Sequence, residues 1–166
     1  MGFVQPRPLE KGDPVAGFDC GAEALNRFLE RYAHQSQQSQ SARTYVTLST
    51  DGKIAGYYTL AYGSVEYEEV PERTRKGLAR HEVPVMVLAR LAVANEFQGQ
   101  GIGKQLLRDA LLRTLQAADI AGLRAVVVDA KDEKAKQFYE RFRFEPFPGE
   151  PLKLALFLKD LRTVVA

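Results

Sequence analysis

The stretch from Val85 to Leu112 constrains the fold of this chain more than any other. It begins with the apolar run VMVLARLAV, which is rich in β-branched residues and has the length of a strand. Three glycines at alternate positions follow, namely Gly99, Gly101 and Gly103. Apolar residues at helical spacing come next, at Leu107, Leu111, Leu115 and Ala118. The pattern predicts a strand, a glycine-rich turn and a helix.

Such a turn presents unpaired backbone N–H groups at a helix N-terminus, where the helix dipole also favours negative charge. We therefore expect a ligand that carries phosphate. A P-loop needs glycine and serine or threonine at its two ends, but Gln98 and Gln105 stand there. The dinucleotide fingerprint needs a glycine three residues after Gly101, where the chain has Lys104. Neither motif fits, and a strand–helix turn without a ligand remains the alternative.

The composition is that of one globular domain spanning residues 1–166. This length suffices for one core, and 45% hydrophobic with 27% charged residues is ordinary for a soluble protein. A net charge of +2 does not by itself indicate nucleic acid. One cysteine, Cys20, and two histidines predict no disulfide framework and no metal site. No apolar run has the length of a membrane span or signal peptide, so we expect a cytoplasmic protein without membrane association.

The N-terminal third predicts an edge strand, a helix and a hairpin. Residues 1–17 contain three prolines and leave room for one short edge strand. Asp19 is a candidate N-cap for a helix whose apolar positions are Leu25, Phe28, Leu29 and Tyr32. The dipeptide Asp51-Gly52 predicts a hairpin turn between two strands, Arg43–Thr50 and Ile54–Tyr62.

Residues 63–83 are rich in charge and predict a mobile loop with a helical turn. The densest basic run of the chain lies here, and it consists of Arg73, Arg75, Lys76 and Arg80. These side chains either form a solvated surface or line a site for a polyanionic substrate.

The C-terminal half completes an α/β fold with a mixed sheet flanked by helices. Gly122 is expected to end the long helix as its C′ residue, and Leu123–Ala130 predicts a second buried strand, parallel to the first. Asp132 is expected to cap the next helix, whose inner face carries Tyr139. A strand near Phe144 and another over Leu152–Leu158 follow.

The loop pattern Gln98-x-x-Gly101-x-Gly103 resembles the acetyl-coenzyme A loop of the GNAT (GCN5-related) N-acetyltransferase superfamily. The run 137–144 is similar to the late helix of that family, although Arg143 stands at its usual glycine. A narrower likeness links three runs to the GNAT toxins of bacterial toxin–antitoxin systems: 18–21 (FDCG), 43–46 (RTYV) and 87–93 (VLARLAV).

This resemblance implies a GNAT-type sheet with a βαβ acetyl-CoA-binding core, and an enzyme that acetylates the α-amine of aminoacyl-tRNA and blocks translation. It implies two further properties of the family, a homodimer and a ribbon-helix-helix antitoxin partner. The implied cofactor-binding residues lie on the central strand and the loop: Leu91, Ala92, Val93, Gln98, Gly99, Gln100, Gly101, Ile102, Gly103 and Lys104. No metal is expected.

The family motif places Tyr139 at the position of the catalytic acid. A phenol with a pKa of about 10 stays protonated at neutral pH and can donate to a forming thiolate, whose thiol pKa is about 8.5. A plain core position is the alternative for Tyr139. No strong general base is evident, and an α-amine with a pKa of about 7.7–8.0 is partly neutral without one.

Arg90 interrupts the apolar strand, and it either contacts substrate with the basic run or pairs with a buried carboxylate. Two other functions fit the same residues. One is acetylation of a small amine or a protein N-terminus, and the other is a degenerate GNAT fold that only binds CoA or a partner.

Overall fold

A computed structural model describes residues 3–166, except for the side chains of residues 73 and 74. Its strands are β1 Arg7–Pro8, β2 Arg43–Leu48, β3 Ile54–Val65, β4 Val83–Val93, β5 Ala125–Asp129, β6 Glu145–Phe147 and β7 Glu150–Phe157. Its helices are α1 Glu23–Arg27, α2 Ala33–Gln38, α3 Glu72–Arg75, α4 Ile102–Ala118, α5 Glu133–Glu140 and α6 Leu158–Val165. A π-helical turn, Phe28–Tyr32, joins α1 to α2.

The strands form a seven-stranded mixed sheet in the order β1-β2-β3-β4-β5-β7-β6. β4 and β5 are parallel, whereas β1 with β2, β2 with β3, β5 with β7 and β6 with β7 are antiparallel. The predicted α/β class, the hairpin at Asp51-Gly52 and the parallel βαβ unit are therefore confirmed. The short edge strand is confirmed as β1.

The chain divides into two compact units, one of Met1–Ala61 with Ala89–Ala110 and the other of Tyr62–Leu88 with Leu111–Ala166. The core of the first unit includes Phe28, Leu29, Tyr57 and Ala92. The core of the second unit includes Val85, Val127, Phe147 and Ala155. Full burial of a side chain the size of valine or phenylalanine contributes about 1.5–3 kcal/mol, so each core is a large stabilising contribution to its own unit.

The first helix begins later than the sequence predicts. Ala22 occupies the N-cap position of α1, so the assignment of Asp19 as N-cap is wrong. The Asp19 carboxylate instead accepts hydrogen bonds from the Gly21 amide at 2.9 Å and the Asn26 side chain at 3.1 Å. An aspartate readily pairs with the backbone two residues ahead, and this turn competes with capping. The polar segment that starts at His34 continues the helix as α2.

Two further boundaries differ from the prediction. α4 ends at Ala118, and Gly122 does not have the positive φ of a C′ glycine, because 3₁₀-type bonds such as Asp119 N–H to the Gln116 carbonyl tighten the end. The final helix α6 was not predicted, since β7 runs into it without a turn residue. Its Leu161 and Val165 are buried, and this packing stabilises the helix where local signals are weak.

The charged segment contains more regular structure than a loop. β3 continues to Val65, a 3₁₀ turn covers Tyr67–Glu69, and α3 follows. The expected helical turn is therefore confirmed.

Candidate active site

β4 extends beyond its parallel neighbour. β4 and β5 pair from Val85 with Ala125 to Leu88 with Val128, whereas β4 continues for five more residues to Val93. Residues 89–93 thus lie beyond the register with β5. The backbone donors and acceptors on such a strand edge can pair with an extended ligand. Three of the predicted cofactor-binding residues, Leu91, Ala92 and Val93, lie in this part of the strand.

The glycine loop follows directly and is open. Gly99 has a φ of +82° and Gly101 a φ of +80°, values at which glycine is strongly favoured. Apart from the glycine itself and its two chain neighbours, a Cβ atom on either glycine would meet no described atom within 4 Å. Gly103, the third glycine, belongs to the first turn of α4 rather than to the loop.

The N-terminus of α4 is suited to an anion. Its first N–H groups lack acceptors within the helix, and the helix is 17 residues long. The first turn contains Lys104 and no acidic residue. Gln100 and Lys104 are exposed, whereas Ile102 is only 2% exposed and can offer a ligand no more than its backbone N–H. Backbone donors with one exposed cation match the needs of a pyrophosphate.

Gln98 fixes the start of this loop. Its side-chain amide donates to the Val93 carbonyl at 3.0 Å, to the Asn95 side chain at 3.2 Å and to the Cys20 carbonyl at 3.4 Å. The side chain is therefore engaged within the protein, and we expect Gln98 to contribute to ligand binding by positioning the loop.

Tyr139 differs from the other buried tyrosines. The residue is 6% exposed, and its ring packs against Phe138 and Phe144 at centroid distances of 5.2 and 5.4 Å. Tyr57 and Tyr58 donate their hydroxyl protons to the Leu25 carbonyl and the Asp109 carboxylate, respectively.

The Tyr139 hydroxyl has no hydrogen-bond partner among the described residues. Its oxygen is also not among the unpaired side-chain atoms of those residues that are sealed from solvent. Buried tyrosine hydroxyls are usually paired, so this group is available to a ligand. Burial raises the pKa of the Tyr139 phenol well above its ordinary value of 10.0, which keeps its proton in place.

Two arginines of the basic run lie near the same aromatic ring. The guanidinium carbons of Arg75 and Arg80 lie 5.6 and 5.7 Å from the centroid of Tyr67. The Arg75 Nε atom is sealed from solvent, and it has no hydrogen-bond partner in the described part of the chain. Arg75 and Lys76 line a pocket of about 540 Å³ together with Tyr67, Glu72, Gly77 and Leu78. The side chain of Arg73 lies outside the described residues.

Arg124 anchors this segment, although no local pattern in the sequence points to it. Its Nη2 donates to the Lys76 carbonyl at 2.6 Å, and its guanidinium lies 4.2 Å from the centroid of Phe157. Burial lowers the pKa of Arg124. The two bonded residues are 48 positions apart, so only the fold brings them together.

Arg90 does not have the carboxylate partner that one interpretation required. No carboxylate oxygen of the described residues lies within 4.0 Å of its guanidinium nitrogens. Its guanidinium carbon instead lies 3.6 Å from the centroid of Phe28. That part of the sequence-based interpretation is wrong, because the counterpart of this cation is an aromatic ring.

The predicted site residues fall into both units. The end of β4, the glycine loop and Arg90 belong to the first unit, and Tyr139, Arg75, Lys76 and Arg80 belong to the second. Within the described residues, no group of three His, Cys, Asp or Glu side chains could hold a metal ion. No helix in that part of the chain is long and apolar enough to cross a membrane.

An extended central strand that leads into an open glycine loop at a helix N-terminus is the arrangement expected of a CoA-dependent acyltransferase. The chain belongs to the GNAT acetyltransferase family, because residues 40–146 match the family model described as an acetyltransferase (GNAT) domain. The predicted family and fold are thereby confirmed.

Its relatives include toxins. The chain is 41% identical, over 164 residues, to a tRNA-acetylating toxin of Mycobacterium tuberculosis, with 99% of this chain and 98% of that protein covered. A solved structure of AtaT complexed with acetyl-methionyl-tRNAfMet is similar at a TM-score of 0.89 and 28% identity, covering 99% of both chains. A tyrosine-to-phenylalanine mutant of AtaT, bound to acetyl-CoA and the C-terminus of the antitoxin AtaR, has a TM-score of 0.83 at 27% identity, covering 99% of this chain and 98% of that one.

Proposed function

We propose that this protein is an N-acetyltransferase that transfers the acetyl group of acetyl-CoA to the α-amine of an aminoacyl-tRNA. The extension of β4 beyond β5, leading into the open loop before α4, carries this proposal. The names of the relatives support the choice of substrate, since one is a tRNA-acetylating toxin and another is complexed with acetyl-methionyl-tRNAfMet. Acetylation of the α-amine would block translation, as expected of a toxin in a toxin–antitoxin system.

Acetyl-CoA would bind along β4 and the loop. The backbone of Leu91–Val93 would pair with the pantetheine arm, and the N–H groups of 99–104 would hold the pyrophosphate. The Lys104 ammonium group, which is exposed in the first turn of α4, would add positive charge there. The structure with acetyl-CoA among the relatives supports this cosubstrate.

The chemistry requires one bond to form and one to break. The neutral α-amine would attack the acetyl carbonyl carbon, and the carbon–sulfur bond would break to release the CoA thiolate. We assign Tyr139 as the acid that protonates the departing sulfur, because its hydroxyl is unpaired among the described residues and its raised pKa keeps it protonated. The proton lost by the amine would pass to solvent, since no base is assigned.

The basic segment would attract the polyanionic substrate. Lys76 and Arg80 are exposed, and Arg75 has a sealed Nε donor beside an open pocket. These cations, with Arg73 and Arg90, are the proposed tRNA-binding residues. Salt-sensitive attraction of this kind is typical of phosphate recognition.

The toxin assignment extends to partners. We propose neutralisation by a ribbon-helix-helix antitoxin, and the AtaT structure with AtaR supports an antitoxin partner in general. We also propose that the protein forms a homodimer, that the whole chain is a single domain and that it is located in the cytoplasm.

The decisive assay compares acetylation of charged tRNA with acetylation of a panel of small amines and N-terminal peptides. The variant Lys76→Glu/Arg80→Glu should lower the rate with charged tRNA by several-fold, more at low salt than at high salt. The variant Lys159→Glu/Arg162→Glu is the matched control, because it reverses two exposed cations of α6 and changes net charge equally. The tRNA assignment would be contradicted if the protein acetylated only small amines and if both charge-reversal variants changed the rate equally.

A further inference from the structure

Arg90 is a partly buried cation without an anionic partner. Its guanidinium carbon lies 3.6 Å from the centroid of Phe28, close enough for a direct stack on the ring face. Within the described part of the chain, none of its five N–H donors makes a hydrogen bond. Stacking on a ring orients a guanidinium and leaves its edge donors available.

Phe28 is held firmly in this position. The residue is 7% exposed and opens the π-helical turn Phe28–Tyr32 between α1 and α2. Its ring stacks on Tyr57 at a centroid distance of 6.3 Å and an interplanar angle of 19°. The Tyr57 hydroxyl donates to the Leu25 carbonyl at 2.7 Å, which ties the stack to α1. Single π-helical turns occur frequently at functional sites, where they redirect a side chain.

The stack adjoins the strand segment proposed to hold the cofactor. Arg90 directly precedes Leu91–Val93, and the strand alternation places it on the same face as Ala92, which belongs to the core cluster of Phe28. If the pyrophosphate is held at the loop after Val93, the pantetheine arm would run back along β4 and bring its thioester toward Leu91. Arg90 would then stand at the reacting end of the cofactor.

The unpaired guanidinium of Arg90 could bind an anion carried by an acceptor at this end. In a charged tRNA, the α-amine is joined through one ester to the terminal ribose, and the nearest anion is the phosphate of that nucleotide. A guanidinium matches a phosphate by two parallel hydrogen bonds. We propose that Arg90 binds the phosphate of the terminal nucleotide of the charged tRNA, and that Phe28 is the positioning residue that orients the guanidinium for this contact. This inference rests on the proposed function.

Two minimal acceptors test it, adenosine 5′-monophosphate and adenosine, each aminoacylated on the ribose. The wild type should have a lower KM for the phosphate-bearing acceptor. Arg90→Met, which keeps an apolar side chain over Phe28, should raise that KM by roughly 10–100-fold, because a lost charge-assisted pair has this effect. The KM for the phosphate-free acceptor and the affinity for acetyl-CoA should change less than about twofold, within the scatter of neutral substitutions.

The role of Phe28 is tested by a double-mutant cycle. Phe28→Leu should raise the KM for the phosphate-bearing acceptor in the wild type but have no further effect in Arg90→Met. Arg90→Lys keeps the positive charge but lacks the paired donors of the guanidinium, so its KM for the phosphate-bearing acceptor should be intermediate. It also serves as the folded alternative if Arg90→Met is unstable. A merely structural role would alter both acceptors alike.

The outcomes separate the two proposals. A wild type that acetylates neither aminoacyl acceptor and no charged tRNA overturns the proposed function, and this inference with it. A wild type active on both acceptors, with Arg90→Met raising both KM values equally or neither, overturns the phosphate assignment alone.

Discussion

Gly56 in β3 lies directly against the carbonyl of Ala92 in β4. A Cβ atom on Gly56 would lie 2.8 Å from the Ala92 oxygen and 2.8 Å from Cδ1 of Leu106 in α4. Real Cβ atoms do not approach this closely, so only glycine lets these two strands and the helix pack together. The helix that carries the glycine loop is thereby seated on the strand that precedes the loop.

Gly56→Ala should therefore lower the free energy of unfolding by about 1–3 kcal/mol, because the added methyl group overpacks this contact. Gly12→Ala is the matched control, since a Cβ atom there would meet no described atom within 4 Å and φ is not positive. We expect the control to change stability by less than about 0.5 kcal/mol in urea titrations. Equal stability of the two variants would contradict the tight contact.

Gly101→Glu should abolish acetyl-CoA binding, because it places a negative side chain in the proposed pyrophosphate loop. Gly149→Glu is its control, since Gly149 has a φ of +77° and also faces open space. Both variants carry a similar strain, of about 1–2 kcal/mol, for a side chain at positive φ. Gly103→Glu, in the first turn of α4, should also abolish binding. Calorimetric titration with acetyl-CoA would show unchanged affinity in Gly101→Glu and Gly103→Glu if the loop is only a turn.

Tyr139→Phe should lower kcat by roughly 10²–10⁴-fold, the usual contribution of a general acid. Stability should change little, because the Tyr139 hydroxyl makes no hydrogen bond to a described residue. Tyr62→Phe removes a hydroxyl from a residue that is 66% exposed, and its rate should match the wild type. Steady-state kinetics and thermal unfolding together separate the effect on catalysis from the effect on stability. Full activity of Tyr139→Phe would show that Tyr139 is only a core residue.

Arg143→Gly should stabilise the protein by up to about 1 kcal/mol. Arg143 has a φ of +73° at the end of α5, where a side chain is strained and glycine is not. Such a gain corresponds to a rise in Tm of about 2–4 °C for a chain of this size. Arg143→Ala removes the same charge but keeps a Cβ atom, so it should give no gain. A stabilised Arg143→Ala would show that charge, not backbone strain, is the cause.

The Arg7–Asp13 pair should make stability depend on pH at the acid end. Both Arg7 Nη atoms donate to the Asp13 carboxylate at 2.9 Å, and these bonds hold the pKa of Asp13 below its ordinary value of 3.8. The unfolded chain therefore binds the proton more readily. The stabilisation is complete above the unfolded pKa and is lost as the pH falls through the folded pKa.

Asp13→Asn should accordingly lower the free energy of unfolding by about 1–3 kcal/mol at pH 7, and by progressively less below pH 3.8. Glu10→Gln should have a much smaller effect, because Glu10 is exposed and lies 3.7 Å from Arg7. Urea titrations across this pH range give both values. A constant difference between wild type and Asp13→Asn at all pH values would contradict the linkage.

Local signals specified most of the regular structure. The Asp51-Gly52 turn, the Asp132 cap, whose carboxylate accepts the Ala135 amide at 2.8 Å, and the strand–loop–helix unit are each encoded within a few residues. The errors arose where two local signals compete or where a local signal is missing. Asp19 caps no helix because it closes a turn with Gly21. Helix α6 was not predicted because its start lacks a capping side chain.

The sequence by itself determined the βαβ core, the glycine loop and its likeness to acetyl-CoA-binding loops, because these depend on backbone conformation and on hydrophobic spacing. Tertiary structure decided which long-range partners each functional side chain has. Arg90 meets Phe28 rather than a carboxylate, Arg124 supports Lys76, and Gly56 is pressed against Ala92. These pairs join residues from 36 to 62 positions apart, and no local pattern encodes a contact that forms only when strands and helices pack.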